Sequence, residues 1–300
     1  MDDIIHLDSV EQCNIENEME THHPSITIID LSKSKPIYSI KINFGLYGIF
    51  LKDLKCSAIK YGRNYYDYQS GTLVFIAPGQ IVEIDDNEDD RPHQPSGLVL
   101  FFHPDLIRGT SLAQSMKEYS FFSYKVNEAL HLSEKERQFV KDCFSKIQTE
   151  IERPVDKHSK RLIANNIELL LNYCVRFYDR QFITREESHK GIVEKFEYLL
   201  DEYFQTEKLV QKGLPTVAYC AEKLNLSSKY FGDLIKKETG KSALEYIQLR
   251  LLDLAKERIF DTNKSVSEIA YELGFKYPQH FTRFFKQKVG ITPNDYRKVN

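Results

Sequence analysis

Residues 269–297 read IAYELGFKYPQHFTRFFKQKVGITPNDYR, and a fainter copy begins about fifty residues earlier. CAEKLNL (220–226) falls on IAYELGF (269–275) with an offset of 49. After the turn, Phe231, Leu234, Ile235, Lys236, Gly240 and Tyr246 fall on Phe281, Phe284, Phe285, Lys286, Gly290 and Tyr296 with an offset of 50. One residue is therefore added in the second turn. Two copies are too few for a solenoid, which needs about three or more; they describe a tandem of small helical units.

Each unit pairs a short helix, with Ala near its start, to a tight turn and a second helix with a buried aromatic edge. That is the form of a helix-turn-helix, whose second helix lies in the major groove of duplex DNA. In the second unit Ser265 and Glu268 form a capping box, and Ala270 lets the two helices approach. Gly274 supplies a turn that needs φ > 0. Phe281, Phe284 and Phe285 are expected inside, with His280 packed beside them. Gln279, Thr282, Arg283 and Lys286 follow at helical spacing on the other face, where an amide and a guanidinium can read adenine and guanine edges. In the first unit Ser227 is the expected cap, and Ser228, Lys229, Gly232, Asp233, Lys236 and Lys237 form the candidate DNA face. Asp233 can accept from cytosine N4.

Between the units, SALEYIQLRLLDLAKERIFDT reads as one helix, started by a second capping box (Ser242, Glu245). Its apolar stripe is Ile247, Leu251, Leu254, Ala255 and Ile259. Some 20 residues at about 1.5 Å each would span about 30 Å, close to the roughly 34 Å that separates successive major-groove faces.

Charge distribution agrees with a DNA-facing C-terminus. The chain of 300 residues carries a net charge of −3, but residues 227–300 hold 14 Lys and Arg against 9 Asp and Glu. Residues 1–190 hold 23 against 29. The basic residues thus gather where phosphate would be met.

The two units, the helix between them and the ending FKQKVGITPNDYR resemble the AraC/XylS family of bacterial transcription regulators, over residues 192–298. The resemblance implies a cytoplasmic regulator that binds double-stranded promoter DNA, with RNA polymerase as a further partner. It also implies an N-terminal cupin-like domain that senses a small-molecule effector and helps form a homodimer. GTLVFIAPGQ (71–80) is similar to a strand-turn stretch of such domains. Tyr277 stands where the family has a small polar cap, ahead of Pro278, and His280 stands where it often has Tyr.

Upstream, PIYSIKINF, YGIFLKDL, GTLVFIAPGQ and SGLVLFF are short apolar or alternating runs set apart by Gly, Pro, Asn and Asp, as in an all-β sandwich or barrel. Residues 1–131 are therefore expected as a β domain. Phe44, Tyr47, Tyr65, Tyr66 and Tyr68 are candidates for lining a pocket or for core packing. EIDDNEDDRPHQP (83–95) lacks the spacing of a calcium loop and reads as a solvated turn. Residues 132–180 are expected as a helical hairpin, either packed on the β domain or serving dimerisation. Ser133 and Glu136 cap its first helix, Phe139, Cys143, Phe144, Ile147 and Ile151 follow at helical spacing, and Pro154 ends it. Leu162, Ile163, Ile167, Leu170, Leu171, Cys174 and Phe177 mark its second helix. The polar stretch 181–191 is the expected linker to residues 192–300. The fold class is α+β and multidomain.

Five scattered cysteines, Cys13, Cys56, Cys143, Cys174 and Cys220, carry no Cys-x-x-Cys pair and read as reduced packing residues. An acidic N-terminus without an apolar segment, and the absence of an 18-residue apolar run, point away from a membrane. Enzyme chemistry finds no footing: there are no Gly-rich phosphate loops, nucleophile elbows or His-Glu-x-x-His helices. His93 and His103 are not joined by the His-x-His pair and carboxylate spacing of a cupin metal site. No catalytic residue, metal or cofactor is expected. The competing classes are a cupin-type metal enzyme and a protein-interaction module.

Overall fold

The computed structural model describes residues 4–36, 40–52, 71–84, 95–124, 128–184 and 186–299. Tyr65, Tyr66, Tyr68, Cys56, His93 and residues 85–94 of the acidic stretch lie outside them. The chain divides into two units, Met1–Thr184 and Arg185–Asn300.

The first unit runs β1 (Ile4–Leu7), α1 (Val10–Glu16), β2 (Ile26–Asp30), β3 (Ile40–Phe44), β4 (Tyr47–Lys52), β5 (Thr72–Ile76), β6 (Gln80–Ile84), β7 (Leu98–Phe102), α2 (Pro104–Ile107), α3 (Ser111–Ser115), β8 (Leu130–His131), α4 (Glu134–Ile151) and α5 (Ser159–Thr184). Each apolar run singled out in the sequence contains one of these strands. A five-stranded antiparallel sheet has the order β2-β7-β4-β5-β8, and a three-stranded sheet has the order β1-β3-β6, with β1 and β3 parallel. Leu7 and Phe44 of the smaller sheet share one core with Ile29, Ile76, Val99 and Phe101 of the larger, and Val10 and Cys13 of α1 close it. Phe44 stacks on Phe101 at 5.2 Å, and Tyr47 stacks on Phe102 at 5.0 Å, so both serve packing.

The helical hairpin α4–α5 belongs to this unit and is fastened to β8. Arg180 donates to Glu136 at 2.6 Å and to the His131 carbonyl at 2.7 Å, while Gln181 accepts from the His131 N–H at 2.7 Å. The Ser133–Glu136 capping box is present in both directions. Val140, Cys143, Phe144, Ile147 and Ile151 are buried along α4. Leu162, expected inside, is 43% exposed, and His103 spends its ring nitrogen on capping α2 by accepting from Asp105 N–H at 3.1 Å. Residues 181–191, expected as a linker, are helical on both sides of residue 185.

The second unit is helical: α6 (Glu186–Gln205), α7 (Lys208–Lys212), α8 (Val217–Lys223), α9 (Ser228–Thr239), α10 (Ala243–Ile259), α11 (Val266–Glu272), α12 (Pro278–Val289) and α13 (Pro293–Val299). α10 has 17 residues, so it spans about 25 Å rather than the 30 Å expected. Its buried stripe is Ile247, Leu251, Leu252, Ala255 and Ile259; Leu252 takes the place foreseen for Leu254, which is half-buried. Tyr246 donates to Glu197, and Arg250 to Asp201 at 2.5 Å, which clips α10 to α6 through two i, i+4 pairs.

Candidate nucleic-acid interface

The repeat becomes two helix pairs, α8–α9 and α11–α12, with matching punctuation. Asn225 turns the first pair at φ 60, and Gly274, its counterpart at offset 49, turns the second at φ 77. Asn is the commonest substitute for Gly in this left-handed region. Gly274 has a further constraint, because a Cβ there would lie 2.2 Å from the Leu209 carbonyl oxygen. Gly240 and Gly290 end the two longer helices in left-handed caps, at φ 72 and φ 94.

The starts of the helices differ. Ser227 accepts from Tyr230 N–H at 3.1 Å and caps α9, whereas Tyr277 stands at the N-cap of α12 and makes no side-chain cap bond. Ser265 and Glu268 form their reciprocal box on α11, and the Ser265 backbone N–H bond, followed by its side-chain hydrogen bond, holds the Glu268 carboxyl below its ordinary value. Ser242 accepts from Glu245 N–H at 3.2 Å, so the serine half of the box expected on α10 is present.

Behind each face lies an apolar layer. Tyr230, Phe231, Leu234 and Ile235 are buried on α9, as are Phe281 and Phe285 on α12; each fully buried aromatic contributes roughly 2–3 kcal/mol. Phe284 is half-buried and packs on Phe275 at 5.7 Å. Burial raises the Cys220 thiol to about 11, and burial with the Glu197 hydrogen bond raises the Tyr246 phenol to about 12.

On α12, Gln279, Arg283 and Lys286 are exposed, and Thr282 is half-buried with its hydroxyl donating to the Pro278 carbonyl at 3.1 Å. His280 corrects the expectation that it packs inside. It is exposed, at offset 50 from the buried Tyr230, and its ring meets the edge of Tyr277 at 5.3 Å. His280 precedes Phe281 by one residue, about 100° round the helix, so it lies off the buried Phe281–Phe285 stripe. On α9, Ser228, Lys229, Lys236 and Lys237 are exposed, Gly232 and Asp233 are half-buried, and Lys229 pairs with Asp233 at 3.6 Å. Asn225 as the stand-in for Gly274, the clip between α6 and α10, and the exposure of His280 escaped the sequence reading. Only the first two had a visible signal, in the register of the repeat and in the matched i, i+4 spacings.

A family model described as a helix-turn-helix domain matches residues 220–299. The TetD protein of transposon Tn10 from Escherichia coli is 32% identical over 145 residues, covering 48% of this chain and 91% of TetD. The chain belongs to the AraC/XylS family of transcription regulators. As an AraC/XylS member it is a DNA-binding transcription regulator. YtdP of Bacillus subtilis (strain 168), an uncharacterized HTH-type transcriptional regulator, is 30% identical over 113 residues, or 38% of this chain; the chain spans 14% of the length of YtdP. The C-terminal domain of the two-component response regulator yesN from Fusobacterium nucleatum subsp. nucleatum is 28% identical, covers 36% of this chain and 98% of its own, and has a TM-score of 0.32. Among the described residues no group of three His, Cys, Asp or Glu is placed to hold a metal ion, and no helix is long and apolar enough to cross a membrane.

Proposed function

We propose that this AraC/XylS regulator reads a two-part promoter site, with α9 and α12 as the reading helices of two helix-turn-helix units that enter successive major grooves. The observation that carries the reading is the paired geometry. Both helix pairs turn at a left-handed residue and end at a left-handed glycine, and both turn a basic, exposed face away from an aromatic layer. α10 at about 25 Å is shorter than the roughly 34 Å between groove faces, so both helices engage only if the duplex bends toward the protein.

In this reading Gln279 and Arg283 contact base edges, and Lys236, Lys237 and Lys286 supply a salt-dependent phosphate term of about −0.9 in slope per contact. The first unit, cupin-like in its two facing sheets, biases the assembly when a small molecule binds. The hairpin α4–α5 joins two copies into a homodimer, RNA polymerase is the partner at the promoter, and the protein works in the cytoplasm without catalysing turnover. Residues 1–131, 132–180 and 192–300 are the corresponding functional segments.

The test is selection of bound duplexes from a random-sequence pool at fixed salt, with wild type, Arg283→Ala and Lys286→Ala in parallel. The reading expects an enriched two-box site about one helical turn apart. Arg283→Ala should lose one position's preference at about 1–3 kcal/mol, and Lys286→Ala should weaken all sequences alike. No enrichment at any salt would overturn it.

A further inference from the structure

Gly232 sits in the interior of α9, five residues inside a twelve-residue helix. Glycine is the least favourable helix residue after proline, so its presence asks for a reason. Backbone conformation supplies none, because Gly232 is not among the residues with positive φ. Packing supplies none either: a Cβ built on Gly232 finds no heavy atom within 4 Å. Gly48 shows the opposite case, where a Cβ would lie 2.9 Å from the Phe50 ring. At the repeat-equivalent position the second unit carries Thr282, whose side chain folds back on its own helix.

The surroundings of Gly232 are specific. Lys229 at i−3 and Lys236 at i+4 are its neighbours on the exposed side, Asp233 at i+1 lies one step further round, and the buried Ile235 at i+3 flanks it on the other side. The bare backbone thus lies at the edge of the charged face, beside the Lys229–Asp233 pair.

We propose that Gly232 is a positioning residue for duplex DNA: its missing side chain lets the backbone of α9 approach the groove to van der Waals distance, with the paired Lys229 and Asp233 presented beside it as donor and acceptor. The close approach brings the short Asp233 carboxylate within reach of a cytosine N4 amino group. The α8–α9 pair reads by proximity and the α11–α12 pair by the long side chains Gln279 and Arg283. The inference rests on α9 being a DNA-reading helix.

The experiment compares full-length wild type, Gly232→Ala and Gly191→Ala, the last an alanine placed in α6 where a Cβ also meets nothing within 4 Å. Each is followed by thermal unfolding and by affinity for the duplex selected by wild type at fixed salt. Both alanines should raise the melting midpoint by about 2–4 °C through helix propensity. Gly232→Ala alone should weaken binding, by about tenfold, as an added methyl does in a tight contact. A glycine that is merely tolerated predicts the same gain in stability for Gly232→Ala with unchanged affinity, and that result would overturn the proposal while leaving DNA reading intact. A lowered midpoint for Gly232→Ala would overturn the premise of open space. Wild type that binds no duplex would overturn the DNA reading of α9 together with the proposal.

Discussion

Arg297 donates from Nε to the carbonyl of Ile259 at 2.6 Å, and from its terminal nitrogen to the carbonyl of Asp261 at 3.4 Å. α10 ends at Ile259, where the last carbonyls of a helix have no partner of their own. A guanidinium at that end satisfies the Ile259 carbonyl and sits well in the helix dipole. Beside it, Tyr296 packs on Phe260 at 5.8 Å and on Phe285 at 5.4 Å. The Tyr-Arg ending of the repeat is therefore a clamp that joins α13 to α10 and α12. Arg297→Ala should destabilise the second unit by about 1.5–3 kcal/mol, the range for hydrogen bonds to a charged group. Arg297→Lys should restore only part, since an ammonium lacks the fork. Urea unfolding measures both, and a midpoint unchanged in Arg297→Ala would refute the clamp.

Tyr277 occupies the N-cap of α12 with φ −135, a conformation suited to a capping serine, yet makes no cap bond. Tyr277→Ser should add about 1 kcal/mol to stability by accepting from an N–H of the first turn. The exposed ring gives up little burial, being 45% exposed. Thermal unfolding of the full chain reads the gain.

Gly274 and Asn225 are equivalent in the repeat but should respond unequally. Gly274→Ala meets a left-handed penalty of about 1–2 kcal/mol and a backbone oxygen 2.2 Å from the new Cβ. Its total loss should exceed about 2 kcal/mol. Asn225→Gly relieves the same left-handed conformation and should stay within about 1 kcal/mol of wild type. Comparing the two unfolding midpoints decides whether Leu209 makes the second turn glycine-only.

Burial raises the described thiols above the ordinary value: Cys13 to about 12 and Cys220 to about 11, with Cys143 and Cys174 also raised. A thiol reagent at pH 8 should therefore leave Cys13, Cys143, Cys174 and Cys220 unmodified in the native protein and reach them in denaturant. Peptide mapping after labelling identifies the sites. The linkage follows in sign. Each of these groups binds its proton more tightly when folded, so stability is full below the unfolded thiol value of 9.0 and falls as pH rises from there toward the folded values. Tyr119 and Tyr246, both raised to about 12 from 10.0, extend the loss to higher pH. An unfolding midpoint that holds steady from pH 8 to 11 would contradict this.

Much of the second unit was legible because its signals are local. Ser227, Ser265 and Gly274 announce caps and a turn within four residues of the groups they serve, and Phe281 and Phe285 keep helical spacing. The strands β3, β4, β5 and β7 were legible as apolar runs for the same reason. Leu162, Leu254 and His280 were expected inside because periodicity gives a face and not the element that covers it; Leu162 and His280 are exposed and Leu254 is half-buried.

The sequence by itself determined that two copies of one helical unit stand at the C-terminus behind a β-rich domain, since capping, turn chemistry and apolar period act over a few residues. Tertiary structure alone decided that strand order runs β2-β7-β4-β5-β8, that α4–α5 is fastened to β8 through Arg180 and Gln181, and that Arg297 closes α10 across 38 residues of chain. Those bonds join groups far apart in sequence, where each donor meets many candidate acceptors and only the packed chain selects one.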